Sequence, residues 1–174
     1  NYIFYPRSTH SKPPLNAFDK AIQVDADIVI TCRFYTGSDD WPWIVFFHGN
    51  GEMVSDYDTI APFYNKREIN LVVADYRGYG ASSGSPTLTH LVRDAHVLFG
   101  DIKDDLTRRG RGDNVWLMGR SLGSISALEL AYHFPDQIKV LIIESGFPSI
   151  TQLIFHIRLP EGATKTEGFR PLFL

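Results

Sequence analysis

The stretch that decides the fold runs from Val115 to Ser124 and reads Val-Trp-Leu-Met-Gly-Arg-Ser-Leu-Gly-Ser. A short apolar run leads into Gly-x-Ser-x-Gly, and a helical pattern follows directly. A serine hydroxyl is a weak nucleophile, so catalysis requires that it be lifted clear of the backbone and aimed at a base. A sharp turn from strand to helix would do this for Ser121, and Gly119 and Gly123 would let the helix approach the strand closely.

The same turn predicts half of an anion-binding site. A helix that begins at Ser121 aims its first backbone N–H groups at the space above the hydroxyl, where a negatively charged oxygen would form. The N–H of Leu122, directly after the serine, is the first candidate donor. The alternative is an ordinary tight turn before a helix, and the pattern by itself leaves that alternative open.

Composition narrows the class of protein. The 174 residues suffice for about one domain, and a hydrophobic content of 44% supports a sizeable core. A net charge of −3 argues against a nucleic-acid partner. The single cysteine, Cys32, excludes an internal disulfide. No apolar run approaches the ~20 residues of a transmembrane helix. We therefore expect a cytoplasmic or membrane-peripheral protein, although a chain that begins with Asn1 says little about targeting segments.

Strand and helix patterns alternate between residues 43 and 144. Continuous apolar runs at 43–47, 71–74, 115–118 and 140–143 are typical of strands buried on both faces. Helical patterns at 56–67, after Ser85-Pro86 and after the Ser121 turn separate them.

This order predicts an α/β fold whose central sheet is mostly parallel, with helices on both faces. Strand-like runs within 21–35 predict an antiparallel entry to the sheet. We interpret residues 1–174 as a single domain, with residues 147–174 as a candidate lid.

Polar residues follow each of the four apolar strands. They are His48-Gly49-Asn50, Asp75, Ser121 and Glu144. Since ligands of parallel α/β sheets bind beyond the carboxyl ends of the strands, we expect these residues to gather at one edge.

Together these residues resemble a serine hydrolase of the α/β-hydrolase fold. The resemblance covers residues 22–149, and its order and spacing are similar to the lipase, esterase and serine-aminopeptidase-like branch, including ABHD-type acyl hydrolases. The features that carry it are His48-Gly49-Asn50-Gly51, Asp75-Tyr76-Arg77-Gly78-Tyr79-Gly80 with the segment 82–86, the turn at Ser121, and Glu144-Ser145.

The resemblance implies a Ser–acid–His triad in that chain order, with Ser121 as the nucleophile. It also implies a second oxyanion donor, the backbone N–H of Asn50, or of Gly51 if the loop is shifted by one residue. Gly49, Gly51 and Arg120 would contact the substrate.

The acid of the triad has two candidates. Glu144 stands where some relatives keep theirs; the alternative is a carboxylate that braces a loop. Asp75 is the second candidate, although we expect it to be structural and to hold the turn at Arg77-Gly78.

The general base is not assigned by the sequence. The six histidines are His10, His48, His90, His96, His133 and His156. None follows a late strand, where the family places its base, and His48 is expected to brace the oxyanion loop. We therefore expect either that the chain is incomplete at its C-terminal end, with strands missing, or that this member has lost its triad.

The predicted function is hydrolysis of a carboxylic ester, thioester or amide. The substrate would be a small acyl compound, lipid-like to judge from the apolar residues after Phe147, and neither cofactor nor metal is expected. One alternative is an aminopeptidase in which Glu52 or Glu144 binds the amino group of a peptide. Another is a non-catalytic binding protein on the same fold.

Overall fold

The computed structural model describes residues 3–146 of the chain. The candidate lid at 147–174, with His156 inside it, lies outside the described residues.

Six strands form one sheet in the order β1-β2-β4-β3-β5-β6. Their bounds are β1 Ala17–Asp25, β2 Ile28–Tyr35, β3 Trp43–Phe47, β4 Asn70–Ala74, β5 Val115–Arg120 and β6 Val140–Glu144. The pairs β1–β2 and β2–β4 are antiparallel, whereas β3, β4, β5 and β6 run parallel to one another. The mostly parallel sheet with antiparallel N-terminal strands is thus confirmed.

Three α-helices connect these strands: α1 (Ala61–Asn65), α2 (Leu88–Arg108) and α3 (Ser124–His133). None of the helices within residues 3–146 is long and apolar enough to cross a bilayer.

The prediction of a helix over residues 56–67 is wrong in the extent of that helix. The chain instead forms a 3₁₀ turn at Val54–Tyr57, and α1 starts only at Ala61. Pro62 explains the break, because a residue without a backbone N–H fits in the first turn of a helix but not in its interior.

The sheet has a core on each face. In β3, Trp43 and Phe47 pack in the larger core, together with apolar side chains of α2 and α3. Ile44 and Phe46 point the other way, into a second core that includes Ala61 of α1. Successive side chains of a strand point to opposite faces, so a fully apolar strand needs a layer on both sides. Helices on both faces are therefore confirmed.

The edge strand β6 is much less buried than the others. Val140, Leu141 and Ile143 are exposed, whereas β3 and β4 are buried along their whole length. Within residues 3–146, no further strand pairs with the outer side of β6.

The parallel strands end at the same level. Phe47 is in register with Ala74 of β4 and with Gly119 of β5, and Gly119 is in register with Ile143 of β6. The residues that follow these positions therefore meet at one edge of the sheet, as the alternation of strands and helices predicted.

Candidate active site

Ser121 occupies a strained turn between β5 and α3. Its φ angle is +48°, in the left-handed region that residues with a β-carbon rarely adopt. A 3₁₀ turn at Ser121–Gly123 leads into α3, and the Ser124 hydroxyl donates a hydrogen bond of 2.6 Å to the Ser121 carbonyl. Such a conformation costs about 1–3 kcal/mol and persists only where the surroundings impose it.

The two flanking glycines are required by close backbone contacts. A β-carbon on Gly119 would lie 2.6 Å from the carbonyl oxygen of Gly123 and 2.7 Å from the β-carbon of Ala127. A β-carbon on Gly123 would lie 2.0 Å from the carbonyl oxygen of Phe47 and 2.7 Å from that of His48. The turn is therefore pressed against both its own helix and the end of β3.

The loop after β3 is anchored by the side chain of Asn50. The amide nitrogen of Asn50 donates to the carbonyl of Ile3 at 2.6 Å. Its amide oxygen accepts from the hydroxyl of Tyr79 at 2.7 Å and from the N–H of Tyr5 at 3.0 Å. With the side chain held in this way, the backbone of Asn50 has a fixed position beside the end of β3.

Gly51 is oriented towards Tyr79 and the N-terminal segment. Its φ angle is +79°, and its carbonyl accepts from Arg7 at 3.1 Å. Burial raises the pKa of Tyr79 to about 12, and backbone hydrogen bonds from Tyr5 and Gly51 oppose that rise. Asn50 and Gly51 both stay candidates for the second oxyanion donor.

Glu52 connects the loop to β5. One carboxylate oxygen accepts the N–H of Gly49 at 2.8 Å and the hydroxyl of Tyr57 at 2.6 Å. The other lies 2.9 Å from the guanidinium of Arg120 and raises the pKa of that group. The N–H of Gly49 is therefore already engaged, and a contact between Gly49 and substrate would have to use another atom.

Glu144 lies beside Arg120. The two residues are in register between β6 and β5, and Arg120 Nε is 3.5 Å from a carboxylate oxygen of Glu144. The side chain of Glu144 is 50% exposed, and its recorded ion-pair partner among residues 3–146 is Arg120, not a histidine. Its role as the triad acid and the contact of Arg120 with substrate stay predictions.

His48 is fully buried beneath the loop. Its Nδ1 is 2.8 Å from the carbonyl oxygen of Gly49, and its Nε2 is 3.2 Å from the Asp75 carboxylate. The hydroxyl of Tyr76 donates to the His48 carbonyl at 2.6 Å. Both ring nitrogens face oxygen atoms of the loop and its support, so neither is free to take a proton from Ser121.

Asp75 has a different partner from the one expected. Its carboxylate accepts the N–H of Val54 at 2.9 Å as well as facing His48. Arg77 is held instead by Asp94, through two hydrogen bonds of 2.6 and 2.7 Å. The expectation that Asp75 holds the turn at Arg77 is therefore wrong, because the recorded hydrogen bonds of its carboxylate go to His48 and Val54, and Asp94 reaches Arg77 from α2.

The described histidines do not supply a base for Ser121. His90 and His96 lie on α2, His133 ends α3, and His10 belongs to the N-terminal segment. Between residues 3 and 146, no histidine has a recorded hydrogen bond or ion pair to the serine.

Tyr57 and Tyr79 organise the loop after β3, yet sequence reasoning did not identify them. Each places a hydroxyl on a polar group of that loop, Tyr57 on Glu52 and Tyr79 on Asn50. The only signal in the sequence was that both are aromatic residues shortly after a buried strand, which is also the pattern of an ordinary core residue.

The sequence pattern of the family described as serine aminopeptidase S33 matches residues 42–165. That range covers most of the chain and contains the loop after β3, Asp75, Ser121 and Glu144. The chain belongs to this family of α/β hydrolases. The predicted fold and the predicted resemblance to the ABHD-type branch are both confirmed.

Two relatives show how much of a longer protein the similarity covers. The alpha/beta hydrolase domain-containing protein WAV2 of Arabidopsis thaliana is 32% identical over 115 residues, which are 64% of this chain and 36% of that protein. A Saccharomyces cerevisiae protein named as an uncharacterised membrane protein is 36% identical over 95 residues, 55% of this chain and 33% of that protein. The matched region spans about a third of the length of each of these relatives.

Solved structures agree on the fold. The carboxylesterase EstE1, cloned from a metagenomic library, superposes with a TM-score of 0.63 at 18% identity, covering 80% of this chain and 50% of that one. At this level of identity the likeness concerns the fold alone.

Proposed function

We propose that this S33-family protein is a serine hydrolase that cleaves a carboxylic ester, thioester or amide through an acyl-enzyme on Ser121. The observation that carries the proposal is the positive φ angle of Ser121, held between two glycines that have no room for a side chain. Strain of this kind at a non-glycine residue is typical of functional positions.

In the proposed mechanism, the Ser121 hydroxyl oxygen attacks the carbonyl carbon of the substrate. A histidine outside residues 3–146 takes the hydroxyl proton and returns it to the leaving group. The N–H groups of Leu122 and Asn50 bind the oxyanion of the tetrahedral intermediate, and loss of one such donor typically costs about 2.7–4 kcal/mol of barrier. Water then attacks the acyl-enzyme and regenerates the serine.

The surroundings of Asn50 support its proposed role. Three hydrogen bonds of its side chain fix the residue to Ile3, Tyr5 and Tyr79. An oxyanion donor is effective when it is already in place before the charge develops. Asn50 therefore has the rigidity that the proposal requires.

A small acyl compound, lipid-like in its chain, is the substrate class that we propose. The yeast relative is named as a membrane protein, which supports a membrane-peripheral location close to such substrates. The net charge of −3 gives no support for a nucleic-acid partner.

Peptide hydrolysis is a second candidate, because the family is described as serine aminopeptidase. It would need a free carboxylate for the amino group of the peptide. Both nearby candidates, Glu52 and Glu144, already pair with Arg120. This pairing favours an ester or thioester over an amino-terminal peptide bond.

Labelling of the full-length protein by a fluorophosphonate probe tests the nucleophile. We expect covalent labelling of the wild type and none of Ser121→Ala, with Ser126→Ala as the matched control on α3. Absence of labelling in the folded wild type, or equal labelling of Ser121→Ala, would favour a non-catalytic binding protein. Rates on acyl esters of increasing chain length and on aminoacyl amides would then separate esterase from aminopeptidase.

A further inference from the structure

Two histidines and a glutamate meet on the outer surface of the helix pair α2–α3. His96 Nε2 lies 3.1 Å from Oε1 of Glu129, and His133 Nδ1 lies 3.7 Å from the same oxygen. One ligand-type atom from each of the three residues lies within 4.8 Å of the other two. Glu129 and His133 share a face of α3 because they are four residues apart, while His96 comes from α2.

The carboxylate of this cluster is unusually buried. The side chain of Glu129 is only 7% exposed, and its recorded ion-pair partners within residues 3–146 are His96 and His133. A buried carboxylate is costly unless positive charge or hydrogen bonds compensate it. A metal cation held between the three side chains would supply such positive charge.

Aromatic packing holds the two imidazole rings in place. The rings of His96 and His133 meet edge to face with centroids 5.1 Å apart, and His96 also packs against the ring of Phe134 at 5.4 Å. Phe134 in turn packs on Phe99 of α2. The ligand atoms are thus positioned by side chains that belong to the contact between α2 and α3.

We propose that His96, Glu129 and His133 form a binding site for a divalent first-row transition metal ion, with zinc as the preferred ion. Imidazole nitrogen and carboxylate oxygen are the usual ligands of zinc, at about 2.0–2.2 Å. In a tetrahedral site such ligands lie about 3.3 Å apart, close to the 3.1 and 3.7 Å that join the two histidines to Glu129. Three protein ligands leave a fourth position, which here faces solvent because both histidine side chains are partly exposed.

The site is distinct from the proposed nucleophile. Glu129 and His133 lie five and nine residues after Ser124, the first residue of α3, or about 8 and 14 Å along its axis at 1.5 Å per residue. The ion would therefore join α2 to α3 rather than contact the substrate. A Ser126 hydroxyl bonded to the Leu91 carbonyl at 3.0 Å already joins the two helices further along their contact.

Titration of the intact protein, prepared without a histidine tag and stripped of metal with a chelator, tests the site. We expect one equivalent of Co²⁺ to bind with the intense visible absorption of a tetrahedral complex, and Zn²⁺ to displace it. Zn²⁺ should bind with a Kd below about 10 μM and raise the melting temperature of the protein. A wild type that binds neither ion in this range overturns the proposal without reference to any variant.

Variants then assign the ligands. Glu129→Gln, His96→Asn and His133→Asn should each weaken Zn²⁺ binding by about tenfold or more. His90→Asn, a histidine of α2 outside the cluster, should bind as the wild type does. His133→Asn alters the most exposed ligand, so it is the variant best able to keep the fold. Zn²⁺ affinity that is unchanged in folded His133→Asn and His96→Asn overturns the proposal, and labelling of Ser121 should be the same in His133→Asn as in the wild type.

Discussion

A β-carbon added to Gly123 would lie only 2.0 Å from the carbonyl oxygen of Phe47. The second glycine of the Ser121 turn thus approaches the last residue of β3 so closely that no side chain would fit between them. This approach brings the start of α3 against the loop that carries Asn50, so one backbone contact sets the distance between the two halves of the proposed oxyanion site.

Gly123→Ala should therefore destabilise the protein and disturb the site together. Because the obstacle is backbone rather than a flexible side chain, we expect a loss of about 3 kcal/mol in the free energy of unfolding, measured by urea denaturation. Gly100→Ala is the matched control, since Gly100 lies within α2 and its β-carbon would meet no atom within 4 Å. In that control the free energy of unfolding should increase by about 0.5–1 kcal/mol. Equal effects of the two substitutions would contradict this account of the turn.

The strain at Ser121 predicts that activity and stability oppose each other at this position. Glycine adopts φ of +48° at little cost, whereas serine and alanine do not. Ser121→Gly should be more stable than Ser121→Ala by about 1 kcal/mol, and both should lose fluorophosphonate labelling. Chemical denaturation of the two variants measures the difference, and the reverse order of stability would show that the turn is unstrained.

The succession of strands and helices along the chain and the turn at Ser121 could be predicted because each depends on local pattern. Continuous apolar runs specified the buried strands, and Gly-x-Ser-x-Gly at the end of one specified the turn. The extent of α1 was missed because the apolar spacing over 56–67 is helical, while Pro62 moves the start of the helix.

Contacts between distant side chains could not be predicted. Glu52 was considered as a ligand for a peptide amino group, but it accepts the Gly49 N–H and pairs with Arg120. The cluster of His96 with Glu129 and His133 was not foreseen either, since its ligands come from two helices. Only the spacing of Glu129 and His133 was visible in the sequence, and that spacing is common on helix surfaces.

The buried ion pair of Arg77 and Asp94 should matter far more than an exposed one. Arg77→Met leaves the Asp94 carboxylate, bonded at 2.6 and 2.7 Å in the native protein, without its partner. We expect a loss of about 3–5 kcal/mol in the free energy of unfolding. Arg108→Met, at an exposed arginine paired with Asp105, should cost less than about 1 kcal/mol. If Arg77→Met also lowered the free energy of unfolding by less than about 1 kcal/mol, the buried pair would contribute no more than a surface ion pair.

Stability should fall at alkaline pH because of buried tyrosines. Burial raises the pKa of Tyr79 to about 12, above the ordinary value of 10. Above pH 10 the unfolded chain loses the phenolic proton while the folded protein keeps it, so the free energy of unfolding decreases as pH rises from 10 towards 12. Chemical denaturation at about pH 8 and about pH 10.5 measures the decrease in the free energy of unfolding between these two pH values. That decrease should be smaller for Tyr79→Phe than for the wild type. Tyr5→Phe, at an exposed ring, should keep the wild-type decrease, and an equal decrease in all three proteins would contradict the prediction.

Glu52 should control the reactivity of Ser121 without touching the substrate. Its carboxylate accepts the Gly49 N–H and the Tyr57 hydroxyl and pairs with Arg120, so it fixes the loop of Asn50 relative to β5. Glu52→Gln keeps the shape but removes the charge and one acceptor. We expect the rate of fluorophosphonate labelling to fall about tenfold, because a donor that is displaced stabilises the oxyanion poorly.

The matched control for this prediction is Glu68→Gln, at an exposed residue after α1. Its labelling rate should equal that of the wild type, and far-ultraviolet circular dichroism should be the same for all three proteins. Glu52→Asp keeps the negative charge but shortens the side chain. It therefore tests whether the distance between the carboxylate and the Gly49 N–H matters. Ser121 of this variant should be labelled slowly as well. A wild-type labelling rate in both Glu52 variants would mean that the loop is held by Asn50 alone.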